Sequence, residues 1–410
     1  MSLDEPEFRA IQRRSVALLS TGQVLGGLGL GAGLSLGAII AASLSGSPAW
    51  SGMAATMSTL GAAAAAIPLA RLARGRGRRV ALTVGALVAA LGAVLTIVSV
   101  VVASFVLLLV GLAMLGSGAA VGLQSRFAAT DLAGDRHRAR DLSIVVWATS
   151  IGAVVGPNLV GPGELLGSSI GLPPLAGSFV FTVVAQIAAA VVYVVGLRPD
   201  PLLTRQTLDA APAGPSSQAP VLGRPRYATY GIAATAISHA VMVSVMSMTP
   251  VHLSSHGASI TIIGLVISLH IAGMFALSPV FGSLADRIGR IQVILIGQGI
   301  FVAALATVAL GAESEQGAVV GLILLGLGWS ASTVAGSALV AESVGADRRA
   351  VIQGRSDLAM NSAGALGGAL AGPVLVLFGY SGLAVVASVL VAVVLGLTAR
   401  LYNGARPLPA

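Results

Sequence analysis

Residues 282–290 read "GSLADRIGR", a charged island in an otherwise apolar region. Asp286, Arg287 and Arg290 bring three charges into nine residues of a chain that is only 9% charged. Apolar runs flank it on both sides, 259–284 before and 290–311 after. Each run is long enough to cross a bilayer, which takes about 20 residues. The stretch is thus a short polar loop between two membrane helices. Gly282 is expected to let helices approach closely, and Asp286 to pair with basic groups or a helix N-terminus. Arg287 and Arg290 anchor the loop on the cytoplasmic side, where basic residues collect.

The rest of the chain has the same character. It has 410 residues, 56% of them hydrophobic, and a mean hydropathy of +0.93. Soluble domains carry about a quarter charged residues, so this is an integral membrane protein. Nucleic acid is excluded as a partner despite the net charge of +8, because all 23 basic residues are Arg set in short clusters between apolar runs. No cleavable leader is expected from the charged start "MSLDEPEFRAIQRRS". Cysteine is absent, which removes disulfides and thiolate ligands.

Twelve apolar runs qualify as spans: 15–44, 49–72, 79–102, 104–127, 142–163, 174–197, 227–251, 259–284, 290–311, 317–341, 357–378 and 380–400. The predicted fold class is therefore an all-α membrane protein of twelve transmembrane helices. With the N-terminus inside, the clusters at Arg9–Arg14, Arg71–Arg79, Arg136–Arg140, Arg198–Arg226, Arg287–Arg290, Arg348–Arg355 and Arg400–Arg406 all fall on the cytoplasmic face. The outer loops keep Glu164, Glu313 and Glu315. This asymmetry predicts an inner-membrane protein with both termini cytoplasmic.

Residues 198–226 are rich in Pro, Ala, Ser and Gly, and read as a flexible linker between six-helix bundles at 1–197 and 227–410. The halves echo each other. Gly152-x3-Gly156-Pro157 recurs as Gly368-x3-Gly372-Pro373, and Asp141-Leu142 as Asp357-Leu358. Such repeats are the layout of secondary transporters.

"GSLADRIGR" resembles the G-x-L-A-D-R-x-G-R loop of the major facilitator superfamily, and the resemblance covers the whole chain. It implies two six-helix bundles that rock about a midplane site. It also implies that Gly282, Asp286, Arg287, Gly289 and Arg290 form a conformational latch. The first-half counterpart, "ARLARGRGRR" at 70–79, has Arg74 where the acid belongs, so it reads as a topogenic cluster. The Gly-x3-Gly-Pro elements resemble a helix-5 motif of drug antiporters. Small residues four apart are also the general packing solution in membranes, and helix packing is the reading taken here.

Ligand chemistry concentrates elsewhere. Four of the five His and four of the nine Met fall in 239–274. His239, Met242 and Met246 share one face of the seventh span, and Met248 points away. The eighth span carries His270 and Met274, four apart. Adjacent antiparallel helices would bring both pairs to similar depth near the midplane. Met53 and Met57 in the second span form another such pair, and His252 and His256 sit at the outer mouth. Thioether and imidazole donors without carboxylates favour Cu(I) over hard divalent ions.

The M-x3-M and H-x3-M pairs resemble those of the CcoA-type (CalT family) copper importers. That resemblance implies copper import, with Met242, Met246, His270 and Met274 passing the ion. His239, Met53 and Met57 are secondary candidates. Copper would be cargo, with no resident cofactor and no enzyme activity. The alternative is a proton-coupled exporter of drugs or other organic solutes, supported by the helix-5 motif and by Trp147 and Trp329 in an apolar cavity wall. Besides its substrate, only membrane lipid is expected as a partner, and the chain is expected to be a monomer.

Overall fold

The computed structural model describes residues 5–133, 138–209, 225–312, 314–344 and 346–403. Arg136, the 210–224 part of the linker, Glu313 and Arg406 lie outside the described residues, as do the side chains of Arg9, Arg138, Arg140 and Arg348. The chain is helical nearly throughout. The first helices are α1 (Glu5–Ser45), α2 (Met53–Val101), α3 (Phe105–Leu115), α4 (Ser117–Asp131), α5 (Arg138–Val155), α6 (Val160–Ser169), α7 (Ser178–Gly196) and α8 (Pro201–Asp209). Then come α9 (Pro225–Ser255), α10 (Ile260–Phe275), α11 (Ser278–Ile288), α12 (Arg290–Leu310), α13 (Glu315–Glu342) and α14 (Ala346–Asn403).

Ten helical stretches among the described residues are long and apolar enough to cross a membrane. Two of them are double-length: Pro48–Val101 has 54 residues and Ile352–Tyr402 has 51. Either would run roughly 75–80 Å if straight, more than twice a bilayer core. Each is broken once, at Gly77 (φ 89, ψ 165) and at Gly379 (φ 71, ψ −177). Counting each broken helix as two crossings gives the twelve expected.

The helices fall into two compact units. One comprises Met1–Ile40 and Met57–Ser216, the other Ala41–Thr56 and Ser217–Ala410. The end of α1 and the start of α2 therefore group with the second unit. Within that unit, the Thr56 hydroxyl donates to Ala365 O of α14 at 2.9 Å.

Each unit makes one of its turns by the same device. Gly77 and Gly289 (φ 104, ψ 153) take a positive-φ, extended conformation essentially confined to glycine, which costs another residue on the order of 1–3 kcal/mol. An arginine follows each. Arg78 Nε lies 2.8 Å from Asp131 Oδ2, and its Nη1 donates to Gln124 Oε1 at 2.6 Å. Arg290 Nη2 lies 2.7 Å from Asp286 and 2.6 Å from Glu342. Asp131 closes α4 and Glu342 closes α13. The first half thus has its acid after all. It comes from the end of α4 and not from the position that Arg74 holds, so 70–79 is more than a topogenic cluster.

Two further expectations need correcting. Gly282 makes no tight helix contact: a Cβ there would sit 3.8 Å from Val334 Cγ1, an ordinary separation. The 198–226 connection is not flexible from its start. Asp200 Oδ1 accepts from Leu202 N at 3.0 Å and caps α8, while Oδ2 accepts from Arg79 N at 2.7 Å. The linker is thereby tied to the turn at Gly77.

The Gly-x3-Gly-Pro positions are packing positions. Gly152 abuts the Val24 carbonyl of α1, and a Cβ on Gly156 would lie 2.9 Å from Leu28 O. Pro157 falls in the 3-10 turn Gly156–Leu159, whereas Pro373 stays inside α14. Gly372 abuts the Ala49 carbonyl, and a Cβ on Gly368 would lie 3.2 Å from Gly52 O.

The Arg78–Asp131 side chains are 11% and 12% exposed, while Asp286 is 72% exposed. Asp131→Asn should therefore cost on the order of 3 kcal/mol by stranding Arg78, and Asp286→Asn less than about 1 kcal/mol. Thermal unfolding in detergent measures both, and equal shifts would refute the asymmetry.

Candidate functional site

The second unit is organised around α13. Seven residues, about 10 Å of helix, separate Leu322 from Trp329, and each holds one imidazole.

At Leu322 the partner is His270, which is 0% exposed. Its Nδ1 lies 2.7 Å from Leu322 O. A carbonyl oxygen only accepts, so Nδ1 carries the proton and Nε2 keeps its lone pair. That Nε2 is buried without a hydrogen-bond partner among the described residues. Close approach permits the arrangement, since Gly326 abuts the His270 carbonyl.

At Trp329 the partner is His239. The indole Nε1–H donates to His239 Nδ1 at 2.9 Å. With Nδ1 accepting, the neutral ring carries its proton on Nε2, so His239 presents a donor and no free lone pair. This removes it from the metal-ligand candidates in the observed arrangement. Gly364 of α14 makes room for the ring, because a Cβ there would lie 2.6 Å from His239 Cδ2. Phe275 meets Trp329 edge-on at 5.9 Å. Trp329, Phe275 and His239 are each half-buried.

The candidate soft ligands of the second unit sit on α9 and α10. Met242 and Met246 are buried on α9, at 2% and 8% exposure, and Met274 is half-buried on α10. His239 to Met246 also spans seven residues, so Met246 and His270 stand at similar depth. The helices themselves are not neighbours as expected. α13 packs along both α9 and α10, which touch each other only slightly. Small residues on α13, including Gly326 and Gly336, draw both helices to it. Met53 groups with the second unit and Met57 with the first. Among the described residues no three His, Cys, Asp or Glu side chains converge as a metal site.

His252 and His256 lie on the last turn of α9 and just beyond it, beside a cavity of about 430 Å³. His252 Nε2 bonds Ala312 O at 2.6 Å, and its ring stacks on Tyr380 at 4.1 Å. His256 Nδ1 bonds His252 O at 2.8 Å. Both imidazoles thus hold backbone carbonyls at the C-terminal end of α9.

Sequence reasoning missed Gly364 and the pairing of Trp329 with His239. Extending the Gly368-x3-Gly372 spacing back one turn finds Gly364. It also missed the buried junction where Gln298 Nε2 donates to Ser238 and Ser332 at 3.0 Å each, joining α12, α9 and α13.

The sequence profile of the Major Facilitator Superfamily matches residues 19–257 and 231–410. The uncharacterised MFS-type transporter YdeG of Bacillus subtilis (strain 168) is 36% identical over 388 residues, covering 93% of this chain and 90% of its own. The riboflavin transporter RfnT of Brucella anthropi is 31% identical over 352 residues, covering 85% of each chain. Among solved structures, a bacterial homolog of the human lysosomal transporter Spinster, inward-facing and unoccupied, aligns over 100% of both chains with a TM-score of 0.69 at 17% identity. That likeness bears on fold alone.

The Trp329–His239 pair is open to a direct test. With Trp50 and Trp147 replaced by Phe, Trp329 is the sole indole reporter. Gly364→Ala should push the His239 ring and shift Trp329 emission, and the shift should vanish in a His239→Ala background. An identical shift in both backgrounds would disprove the wedge of Gly364, His239 and Trp329.

Proposed function

Given that the chain belongs to the major facilitator superfamily, and is a multi-pass secondary transporter and not an enzyme, we propose that its cargo is a planar organic solute held on the Trp329–His239 pair. The observation that carries this is the hydrogen bond from the Trp329 indole to His239 Nδ1. That nitrogen is occupied by the indole, so Nε2–H points a fixed donor away from the aromatic ring pair. A half-open indole face beside a single oriented donor suits a flat heteroaromatic ring with a carbonyl or ring-nitrogen acceptor. The 31% identity to a riboflavin transporter, over most of both chains, supports a solute of that class. On this reading the protein sits in a bacterial inner membrane with both termini cytoplasmic, as the arginine asymmetry favours. It works as a monomer without a resident cofactor, by alternating access. Asp286 and Arg290 act in the latch and not on the cargo.

Copper import is the second reading, and one observation favours it. His270 has its Nδ1–H fixed by a backbone carbonyl and its Nε2 lone pair free, the usual state of a metal-ligating imidazole. Met274 follows one turn later, with Met242 and Met246 buried on α9. Against it, α9 and α10 touch each other only slightly, and no cysteine is available.

Uptake of radiolabelled riboflavin and of radioactive copper, in cells with and without the protein, separates the two. The solute reading expects riboflavin uptake that falls about tenfold or more in Trp329→Leu, as loss of a stacking face and its orientation implies. Trp329→Phe should keep part of it, and copper uptake should be unchanged by the protein. Copper uptake that disappears in His270→Ala and Met274→Leu, with no riboflavin transport, would replace this reading with the second.

A further inference from the structure

A separate feature lies in the first unit, on its arginine-bearing face. A cleft of about 160 Å³ opens between the start of α1 and the end of α7. Arg14 and Ser15 line it from α1, and Arg198 with Pro199 from the chain just past α7. Arg14 and Arg198 are exposed. Neither guanidinium has an ion-pair or hydrogen-bond partner among the described residues. Arg78 of the same unit, by contrast, is engaged with Asp131 and Gln124. Ser15 is only 3% exposed, yet its hydroxyl also makes no hydrogen bond among the described residues.

Two unpaired guanidiniums facing one small cleft repel each other and want a shared anion. A guanidinium fork matches the oxygens of a phosphate. The height of the cleft limits the source. α1 is apolar beyond Ser15 and α7 is apolar up to Leu197, so the cleft sits where hydrocarbon gives way to headgroups. Basic pockets between transmembrane helices at that level are suited to anionic headgroups. The walls fit as well: Ala10, Ile11 and Gly196 give an apolar surface beside the charges, as the upper part of an acyl chain requires.

We propose that this cleft binds the phosphate headgroup of an anionic phospholipid through Arg14 and Arg198, with the Ser15 hydroxyl as a third donor. The site is independent of the cargo, so it stands or falls apart from the solute reading.

Native mass spectrometry of the full chain in detergent tests it, with phosphatidylglycerol as the probe and phosphatidylcholine as the zwitterionic comparison. The wild-type protein should retain one phosphatidylglycerol more tightly than phosphatidylcholine. Arg14→Gln with Arg198→Gln should lower phosphatidylglycerol affinity about 25-fold, at roughly a fivefold factor for each cation near an anionic headgroup. Arg14→Lys with Arg198→Lys keeps the charge and the fold but loses the fork, and should fall in between. Arg71→Gln with Arg74→Gln removes the same charge from the same unit and should change little. Three results would overturn the proposal: equal retention by wild type and the glutamine pair, equal loss in the Arg71/Arg74 control, or displacement of the lipid by millimolar inorganic phosphate. The last would make the cleft a site for a free anion.

Discussion

Inside hydrocarbon there is no water to satisfy a polar group, and the buried side chains around α13 answer to that constraint. Helices satisfy their own backbones, but a buried imidazole or amide must find its partner on another helix. α13 supplies those partners. It offers a carbonyl to His270, an indole N–H to His239 and a hydroxyl to Gln298. Each bond requires backbones closer than large side chains allow, and the glycines of α13 and α14 make that approach possible. Polar satisfaction and small-residue packing are one design here, since neither is achievable without the other.

This explains how the candidate site is built. His239 and His270 are both ring-nitrogen pairs in the sequence, yet the structure gives them opposite characters. One accepts from an indole and so turns its remaining N–H outward, whereas the other donates to a carbonyl and so keeps a lone pair. The difference is set by what α13 presents at each level, not by the histidines. A transporter with a donor at one level and a buried acceptor about 10 Å away along the same helix has two chemically distinct stations within one bundle.

The fold was legible in the sequence because its signals are long. Twelve apolar runs, arginine on alternate connections, and a loop motif at 282–290 each average over many residues. The double crossings in α2 and α14 were separable by sequence because Gly77 and Gly379 fall where the hydropathy pattern already places a turn. The site was less legible because it depends on which helices are neighbours. Periodicity put Met242, Met246 and His239 on one face, but could not say that α13 would meet α9 and α10 more closely than they meet each other. The acid partnering Arg78 was hidden for a similar reason. It lies 53 residues away at Asp131, and only the folded chain brings it to the turn.

The hold on His270 has a consequence for how relatives of this protein should be read. The atom that fixes the ring is the main-chain oxygen of Leu322, which every amino acid possesses. Position 322 is therefore free to drift between apolar side chains without altering the tautomer of His270. The constraint falls instead on Gly326, where a larger residue would push α10 away. A comparison of homologues that scores columns by side-chain identity would rank 322 as unimportant and 326 as mere spacing. Between them, those two positions decide whether the histidine keeps a lone pair to offer.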